Sequence, residues 1–289
     1  MPTLIDLRRR IQSVRNSQQI TQAMKTVSTA KFRKAQRIVT ESRPFWHTFP
    51  EIMTRLETWI ASLDHPLLDR RLERKIEVLV VTSDKGLAGA FNSNLLARAF
   101  AFLEEKKETA EVRLCLVGKK AVAAFKKLDW PVDVTVGDKT DTLSRDEMKD
   151  LARFLIRQYA FQRADALYLV YNEFKSILAP RVMTTSLLPL QLDEAAEGEV
   201  GWPPGWEPAA DEIVRAALPL YVESQIQHAL FESQAAEHAA RMMAMDNATK
   251  NAEELIDDLV LLLNKIRQAG ITKELLEIMT AVEALRQNA

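Results

Sequence analysis

One glycine-containing segment, SDKGLAGAFN at residues 83–92, has residue types that could bind phosphate. The segment follows a predicted strand, which is where phosphate-binding loops occur in α/β proteins. It lacks the Gly-Lys-Ser/Thr ending of a P-loop and the three-glycine spacing of a dinucleotide-binding loop. We therefore interpret it as a strand-to-helix turn whose glycines permit close packing, and a phosphate cradle is the alternative interpretation.

Other reactive side chains are too dispersed to predict a catalytic or metal-binding site. The four histidines, His47, His65, His228 and His238, do not have the spacing of a metal cluster. Cys115 is the only cysteine, which excludes an internal disulfide and suits a reducing compartment. It falls in a predicted strand, where a core role is favoured over that of a nucleophile. We predict no catalytic residue, no metal and no cofactor for this chain.

The middle of the sequence alternates apolar strands with helices. Predicted strands cover residues 77–82, 112–117, 132–136, 166–171 and 181–188, and predicted helices cover 92–107, 119–128 and 145–162. Apolar strands with helices between them indicate a mostly parallel sheet that is covered on both faces. The predicted fold class is therefore α/β, with a Rossmann-like globular domain over residues 76–208.

A long helical tract flanks this domain on each side. Apolar residues recur every three or four positions along residues 4–30 and again along 211–285, which is the stripe of an amphipathic helix. We predict coiled-coil helices over residues 1–64 and 209–289. At 1.5 Å per residue, a helix of roughly 75 residues would reach about 110 Å, so its stripe needs a partner helix.

The two tracts carry opposite charge, although the whole chain has a net charge of only −1. Residues 1–42 have nine basic and two acidic side chains, a net charge of +7, whereas residues 209–289 have seven basic and thirteen acidic ones, a net charge of −6. We predict that the helices pair antiparallel, held mainly by apolar packing. Because the C-terminal helix is the longer one, residues 271–285 would form an unpaired apolar tip that fits a socket in another protein.

Individual residues predict where the first helix begins, where it is interrupted and how the two helices align. Thr3 followed by Asp6 predicts a capping box at the start of the first helix. Pro44 and Pro50 each remove a backbone donor, so we expect that helix to kink or pause there before it resumes. Four polar residues interrupt the stripes and could specify the register of the pair: Gln18, Gln19, Asn247 and Asn251.

No apolar run reaches the roughly 18 to 20 residues that span a bilayer, so the chain is not expected to cross a membrane. The first residues lack the apolar core of a secretion signal, and an amphipathic transit peptide is a weaker possibility.

Three sequence blocks resemble one known family. The first is RIQSVRNSQQITQAMK at residues 10–25, followed by KFRKAQ at 31–36. The second is SDKGLAGAFNSN at 83–94, and the third is EHAARMMAM at 237–245 with NKIRQAGITKEL at 264–275. These blocks, in this order, closely resemble the gamma subunit of F-type ATP synthases.

The resemblance implies a central rotor stalk that does not itself hydrolyse nucleotide. It implies as partners three alpha and three beta subunits around the helix pair, and the epsilon subunit and the c-subunit ring at the α/β domain. The rotor would couple ion flow through the membrane sector to ATP synthesis or hydrolysis at the alpha/beta sites. Its implied location is peripheral, at the cytoplasmic face of the bacterial inner membrane, with an organellar inner membrane as the alternative.

The resemblance also implies roles for individual residues. Those implied to act in coupling along the shaft are Met24, Lys25 and Arg241. Those implied to contact the beta subunit are Lys31, Arg33, Lys34, Arg267, Gln268 and Thr272. Trp206 and Glu207 are implied to rest on the c ring and epsilon. Core packing is an equal alternative for Met24, and a solvated face is the alternative for the basic residues 31–34.

The sequence also departs from the family in one place and is compatible with two rival classes of protein. Residues 198–205, rich in glycine and proline, replace the family's usual sequence before the c-ring contact. One rival is a nucleotide-using α/β enzyme with a helical dimerisation arm, which micromolar ATP or ADP binding by the isolated chain would favour. The other is a basic coiled-coil tether for nucleic acid, which steeply salt-dependent DNA binding would favour.

Overall fold

The computed structural model describes residues 3–55, 63–137, 143–176, 180–190 and 210–287. Its contacts divide the chain into two compact units. The paired-helix unit comprises Met1–Val27 and Met242–Ala289, and the sheet unit comprises Ser28–Arg241. Both terminal helices contribute to both units, whereas the three predicted segments follow chain order; that three-segment division stays a prediction.

The described residues of the sheet unit form five strands: β1 (Lys75–Val81), β2 (Glu111–Val117), β3 (Val132–Val136), β4 (Ala166–Phe174) and β5 (Pro180–Leu188). Their order in the sheet is β3-β2-β1-β4-β5. β1 pairs in parallel with β2 and with β4, and β2 pairs in parallel with β3. Of these five described strands, β5 alone is antiparallel, and it pairs with β4. The predicted mostly parallel sheet is confirmed.

Five helices lie in the described part of the chain: α1 (Leu4–Arg55), α2 (Phe91–Lys107), α3 (Lys119–Phe125), α4 (Arg145–Ala160) and α5 (Ala210–Gln287). The internal helices begin within one residue of the predicted positions. α4 begins there because Ser144 and Glu147 form a capping box. α3 ends at Phe125, three residues before the predicted end at Leu128.

The sheet has an apolar layer on each face. Alternate residues of β1, such as Val78 and Val80, pack against Leu95 of α2 and Phe125 of α3. The intervening residues Leu79 and Val81 belong to the opposite core, with side chains from α4 and α5. These two layers explain why β1 is an almost continuous apolar run: every residue after Lys75 is buried.

α1 runs unbroken through Pro44 and Pro50, so the predicted pause at these prolines is wrong. A proline inside a helix costs about 3 kcal/mol or more, and tertiary contacts next to Pro44 offset that cost. Trp46 is buried with its ring 4.4 Å from the ring of His228, and Arg43 Nη2 donates to the carbonyl of Phe174 at 3.1 Å. The kink near these prolines stays a prediction. Part of the predicted segment after Pro50, residues 56–62, lies outside the described residues.

The paired-helix unit confirms the antiparallel coiled coil. Leu7 and Ile11 of α1 form one buried cluster with Ile256 and Leu259 of α5. Further along α1, Thr21 lies against Thr249, whose hydroxyl donates to it at 2.8 Å. Residues later in α1 therefore contact residues earlier in α5, so the two helices are antiparallel.

Two local features of this pair were predicted, with different outcomes. The capping box at the start of α1 is present: Asp6 N donates to Thr3 Oγ1, and Thr3 N donates to Asp6 Oδ2, each at 3.2 Å. The predicted register residues are wrong in three cases, because Gln19, Asn247 and Asn251 are exposed.

Candidate functional site

The segment 83–92 is a closed turn held by its own side chains. Ser83 N donates to Asn92 Oδ1 at 3.1 Å, and the Asn92 amide donates back to Ser83 Oγ at 2.8 Å. Ser83 Oγ also donates to the carbonyl of Lys85 at 2.7 Å. These hydrogen bonds join the two ends of the segment, which agrees with the interpretation as a strand-to-helix turn.

A closely packed glycine lies just outside the turn, and sequence reasoning missed it. Gly118, between β2 and α3, has a φ of +94°, and a Cβ there would lie 2.4 Å from the carbonyl oxygen of Thr82. A Cβ on Gly86 would meet only the end of Lys120 at 3.8 Å. Close packing in this region therefore depends on Gly118 and not on Gly86.

Arg241 of α5 binds this turn within the sheet unit. Its Nη2 donates to Glu237 Oε1 at 2.6 Å and to the carbonyl of Lys85 at 3.3 Å, and its Nε donates to the carbonyl of Gly86 at 3.2 Å. The side chain is buried. Arg241 thus clamps the turn to α5. Glu237 lies four residues before Arg241, and this spacing on a helix is a sequence signal for their ion pair. The partners of Arg241 on the turn are distant in sequence, so no such signal exists for them.

Lys25 belongs to an ion-pair cluster in the paired-helix unit. Its Nζ lies 2.6 Å from Asp246 Oδ1, and Lys250 Nζ lies 2.9 Å from Asp246 Oδ2. The hydrogen bond from Lys25, with that from Lys250, holds the pKa of Asp246 below its usual value. Met24 beside Lys25 is half-buried on α1. Asp246 and Lys250 were not identified from the sequence.

The residues implied to contact a beta subunit fall in both units. In the sheet unit, Lys31 is half-buried, whereas Arg33 and Lys34 are exposed. The buried Phe32 between them packs edge-on against Phe174, with ring centroids 5.3 Å apart. Those in the paired-helix unit, Arg267, Gln268 and Thr272, are all exposed. Trp206 and Glu207 lie outside the described residues.

The end of α5 has the exposure predicted for an unpaired tip. Every residue from 267 to 282 is exposed. The large apolar side chains among them are Ile271, Leu275, Leu276, Ile278, Met279 and Val282, each between 48% and 68% exposed. Isolated apolar side chains are ordinary on protein surfaces, but a contiguous set marks a contact surface for another molecule.

Cys115 is a core residue and not a reactive thiol. Its side chain is fully buried and its thiol donates to Glu77 Oε1 at 2.9 Å. Burial, with the neighbouring Glu77 carboxyl, raises the pKa of this thiol. Among the described residues, no group of three or more His, Cys, Asp or Glu side chains could hold a metal ion. No helix in the described part of the chain combines the length and apolar character needed to cross a bilayer.

An antiparallel pair of long helices together with a mostly parallel α/β sheet unit defines the class of protein: a coiled-coil protein with a globular α/β domain. The family model described as ATP synthase matches residues 3–285 of this chain. The ATP synthase gamma chain of Pelotomaculum thermopropionicum is 41% identical over 286 residues, covering 99% of this chain and 100% of that protein. The ATP synthase gamma chain of Anaeromyxobacter dehalogenans strain 2CP-1 is 43% identical over 292 residues, covering 99% of this chain and 100% of its own length.

Solved structures show the same fold at lower identity. A chain of the Euglena gracilis mitochondrial ATP synthase, from an OSCP/F1/c-ring structure, has a TM-score of 0.65 at 21% identity, covering 98% of this chain and 94% of that one. A central stalk/c-ring structure of the Tetrahymena thermophila mitochondrial ATP synthase has a TM-score of 0.62 at 24% identity, covering 79% of this chain and 99% of that one. With relatives above 40% identity over the full chain, the conclusion is plain: this chain belongs to the ATP synthase gamma chain family.

Proposed function

We propose that this chain is the central-stalk rotor of an F-type ATP synthase and that its helix pair transmits rotation to the alpha and beta subunits. The observation that carries the proposal is the helix pair with unequal arms, in which α5 bears an exposed apolar tip over residues 267–282. A shaft with identical faces could not bias three identical catalytic sites differently. An unequal pair of helices presents a different face to each site.

Three alpha and three beta subunits are proposed to surround the paired-helix unit. The exposed residues Arg267, Gln268 and Thr272 would hydrogen-bond a beta loop near the tip. In the sheet unit, Lys31, Arg33 and Lys34 would meet an acidic beta loop, because exposed cations steer and orient oppositely charged partners. The epsilon subunit and the c ring are the proposed partners of Trp206 and Glu207.

The chain is proposed to be a non-catalytic subunit, since the residues that hydrolyse nucleotide would belong to the alpha and beta subunits. Its association with a membrane would run through the c ring, at the cytoplasmic face of a bacterial inner membrane. The relatives named above at more than 40% identity are bacterial, which supports that location over an organellar one.

Reconstitution tests the role directly. The chain mixed with cognate alpha and beta subunits should form a stable complex with cooperative ATPase activity. A shortened variant that lacks residues 271–289, and with them most of the apolar tip, should assemble less stably. A well-folded full-length chain that fails to assemble with its cognate subunits would contradict the proposal.

Met24 tests the coupling role separately from assembly. Met24→Lys adds a cation to a half-buried position of the shaft, and we expect ATP hydrolysis to persist while proton pumping per ATP falls. Met24→Leu keeps the volume and apolar character, so it should pump normally. Unchanged pumping per ATP in Met24→Lys would favour the alternative, in which Met24 serves core packing alone.

A further inference from the structure

The last residue of β4 is held by both terminal helices within the sheet unit. The backbone N–H of Phe174 donates to Glu232 Oε2 of α5 at 2.8 Å, and its carbonyl accepts from Nη2 of Arg43 on α1 at 3.1 Å. The Phe174 ring packs edge-on against Phe32 of α1, with ring centroids 5.3 Å apart. We call these four residues the Phe174 anchor, because one residue of the sheet contacts both helices through its N–H, its carbonyl and its ring.

The two charged side chains of the anchor also contact each other. Arg43 Nη2 lies 3.6 Å from Glu232 Oε1, so a cation of α1 and an anion of α5 pair beside Phe174. The Glu232 side chain is only 3% exposed, and Nε2 of His228, one turn earlier on α5, lies 3.4 Å from the same oxygen. A buried carboxylate is costly unless other groups satisfy it. Loss of any one partner should therefore disturb the whole anchor.

The anchor joins helices to the sheet more directly than the chain does. α1 ends at Arg55 and β1 begins at Lys75, while β5 ends at Leu188 and α5 begins at Ala210. Apolar packing also holds α5 to the sheet, but apolar attraction is non-directional, whereas hydrogen bonds depend on distance and angle. Hydrogen bonds to charged groups are also the stronger ones. A twisting force on either helix would therefore reach the sheet through the anchor.

We propose that Arg43 and Glu232 are positioning residues for rotary coupling, which hold α1 and α5 to the end of β4 so that both helices and the sheet turn together. This inference rests on the proposed rotor function and adds the joint through which torque enters the sheet. The contacts of Arg241 with the turn at residues 83–92 hold α5 alone, whereas the anchor holds both helices.

Hydrogen exchange of the full chain tests the bonds of the anchor. Glu232→Ala removes the acceptor of the Phe174 N–H, so exchange of this amide should become about tenfold or more faster, the effect of losing a bond to a charged group. Glu232→Gln keeps an acceptor oxygen and should give an intermediate rate. Arg37→Ala is the matched control on α1, because Arg37 pairs with Glu41 of the same helix on an exposed surface. It should leave exchange at Phe174 unchanged.

Single-molecule rotation tests the role of the anchor in coupling. With cognate alpha and beta subunits immobilised and an optical probe on α2, Arg43→Ala and Glu232→Ala should widen the spread of probe angles within each pause about twofold or more, while ATP hydrolysis persists. Arg43→Lys retains a charged donor and should restore part of the native spread. Val78→Ala is the control for lost stability, because Val78 belongs to the core layer under α2, which does not include the anchor residues. It should keep the native spread.

The possible outcomes separate the anchor from the rotor role. The inference is overturned if both anchor variants keep the native spread of angles, or if Val78→Ala widens it equally. A native chain whose probe does not turn contradicts the proposed function instead. If Glu232→Ala does not fold, Arg43→Ala gives the same readout, because the Arg43 side chain is 44% exposed and its removal buries no new charge.

Discussion

The sheet unit and the paired-helix unit use the same helix in opposite ways. Where α5 belongs to the sheet unit, Val214, Leu218 and Val222 recur every four residues and are each 0% exposed. Near its end, in the paired-helix unit, Leu275 and Met279 have the same spacing and are 58% and 68% exposed. Apolar periodicity therefore identifies which face of a helix is apolar, but it does not say whether the chain itself covers that face.

Ionisable side chains are also more deeply buried in the sheet unit than in the paired-helix unit. The sheet unit buries ionisable side chains, such as Arg241 and Glu77, and each of them has a hydrogen-bond partner. The paired-helix unit carries an ion pair, Lys25 with Asp246, whose two side chains are partly exposed. Charges should therefore matter most for stability in the sheet unit and least in the paired-helix unit.

The largest effect is expected at Arg241. Arg241→Ala leaves Glu237 buried without its cation and removes the clamp on the turn, so we expect a loss of about 3–5 kcal/mol in the free energy of unfolding. Arg241→Lys keeps the charge but loses the forked geometry of the guanidinium. Its free energy of unfolding should lie between those of the native chain and Arg241→Ala. Urea unfolding of all three proteins measures this. A loss below about 1 kcal/mol in Arg241→Ala, the range of an exposed pair, would erase the contrast between the units.

The second effect concerns pH and Glu77 in the sheet unit. Burial raises the pKa of Glu77 from 4.5 to about 7, with smaller opposing contributions from the Cys115 thiol and Arg113. The native state holds this proton more tightly than the unfolded chain does. The contribution of Glu77 to stability is therefore fully present below the unfolded pKa of 4.5 and is lost as pH rises through about 7.

Urea unfolding across this pH range measures the effect. We expect Glu77 to account for a fall of up to about 3 kcal/mol. Glu77→Gln should remove that fall, whereas Glu104→Gln, an exposed control on α2, should keep it. Parallel pH profiles for the native chain and Glu77→Gln would show that this carboxyl does not retain its proton.

A third pair of variants separates packing from partner contact within the paired-helix unit. Leu259 is 6% exposed against α1, so Leu259→Ala should destabilise the unit by about 2–3 kcal/mol. Leu275 is 58% exposed, so Leu275→Ala should change stability by less than about 0.5 kcal/mol and instead weaken assembly with alpha and beta subunits. Thermal unfolding and reconstitution, run on both variants, give the two readouts. Similar destabilisation by both would mean that the tip packs within the chain.

The smallest effect is expected at Asp246. Asp246→Asn removes the ion pairs with Lys25 and Lys250, and because these lie on a partly exposed seam, the loss of stability should be slight. Any difference should shrink further at high salt, since salt screens exposed pairs. Thermal unfolding at low and high ionic strength checks both statements, and a salt-independent loss would place this pair with the buried charges of the sheet unit.

Local pattern was sufficient to predict most of the fold. Strand β3 was predicted with its observed bounds, Val132–Val136, because alternation and flanking turns are local signals. The antiparallel helix pair was predicted from two unburied stripes, and the cluster that joins Leu7 with Leu259 confirms it. The helix through Pro44 could not be predicted, because the contacts of Arg43 and Trp46 that offset the proline come from distant parts of the sequence.

The candidate site was less accessible to sequence reasoning. Arg241 was named through a resemblance, but its bonds to Lys85 and Gly86 join residues more than 150 positions apart, which no local pattern reports. Asn247 and Asn251 were predicted to help specify the register of the helix pair, but both are exposed. Apolar periodicity locates the centre of a helix contact better than the polar residues at its edges.

Observation of a single assembled complex tests the central claim most directly. Cys115 is fully buried, so Glu105→Cys on the exposed face of α2 provides a selective attachment point for an optical probe. With the alpha and beta subunits immobilised and ATP supplied, the probe should turn in one direction in three steps per revolution, one for each beta subunit. Sustained ATP hydrolysis with a stationary probe would contradict the account of this chain as the rotor.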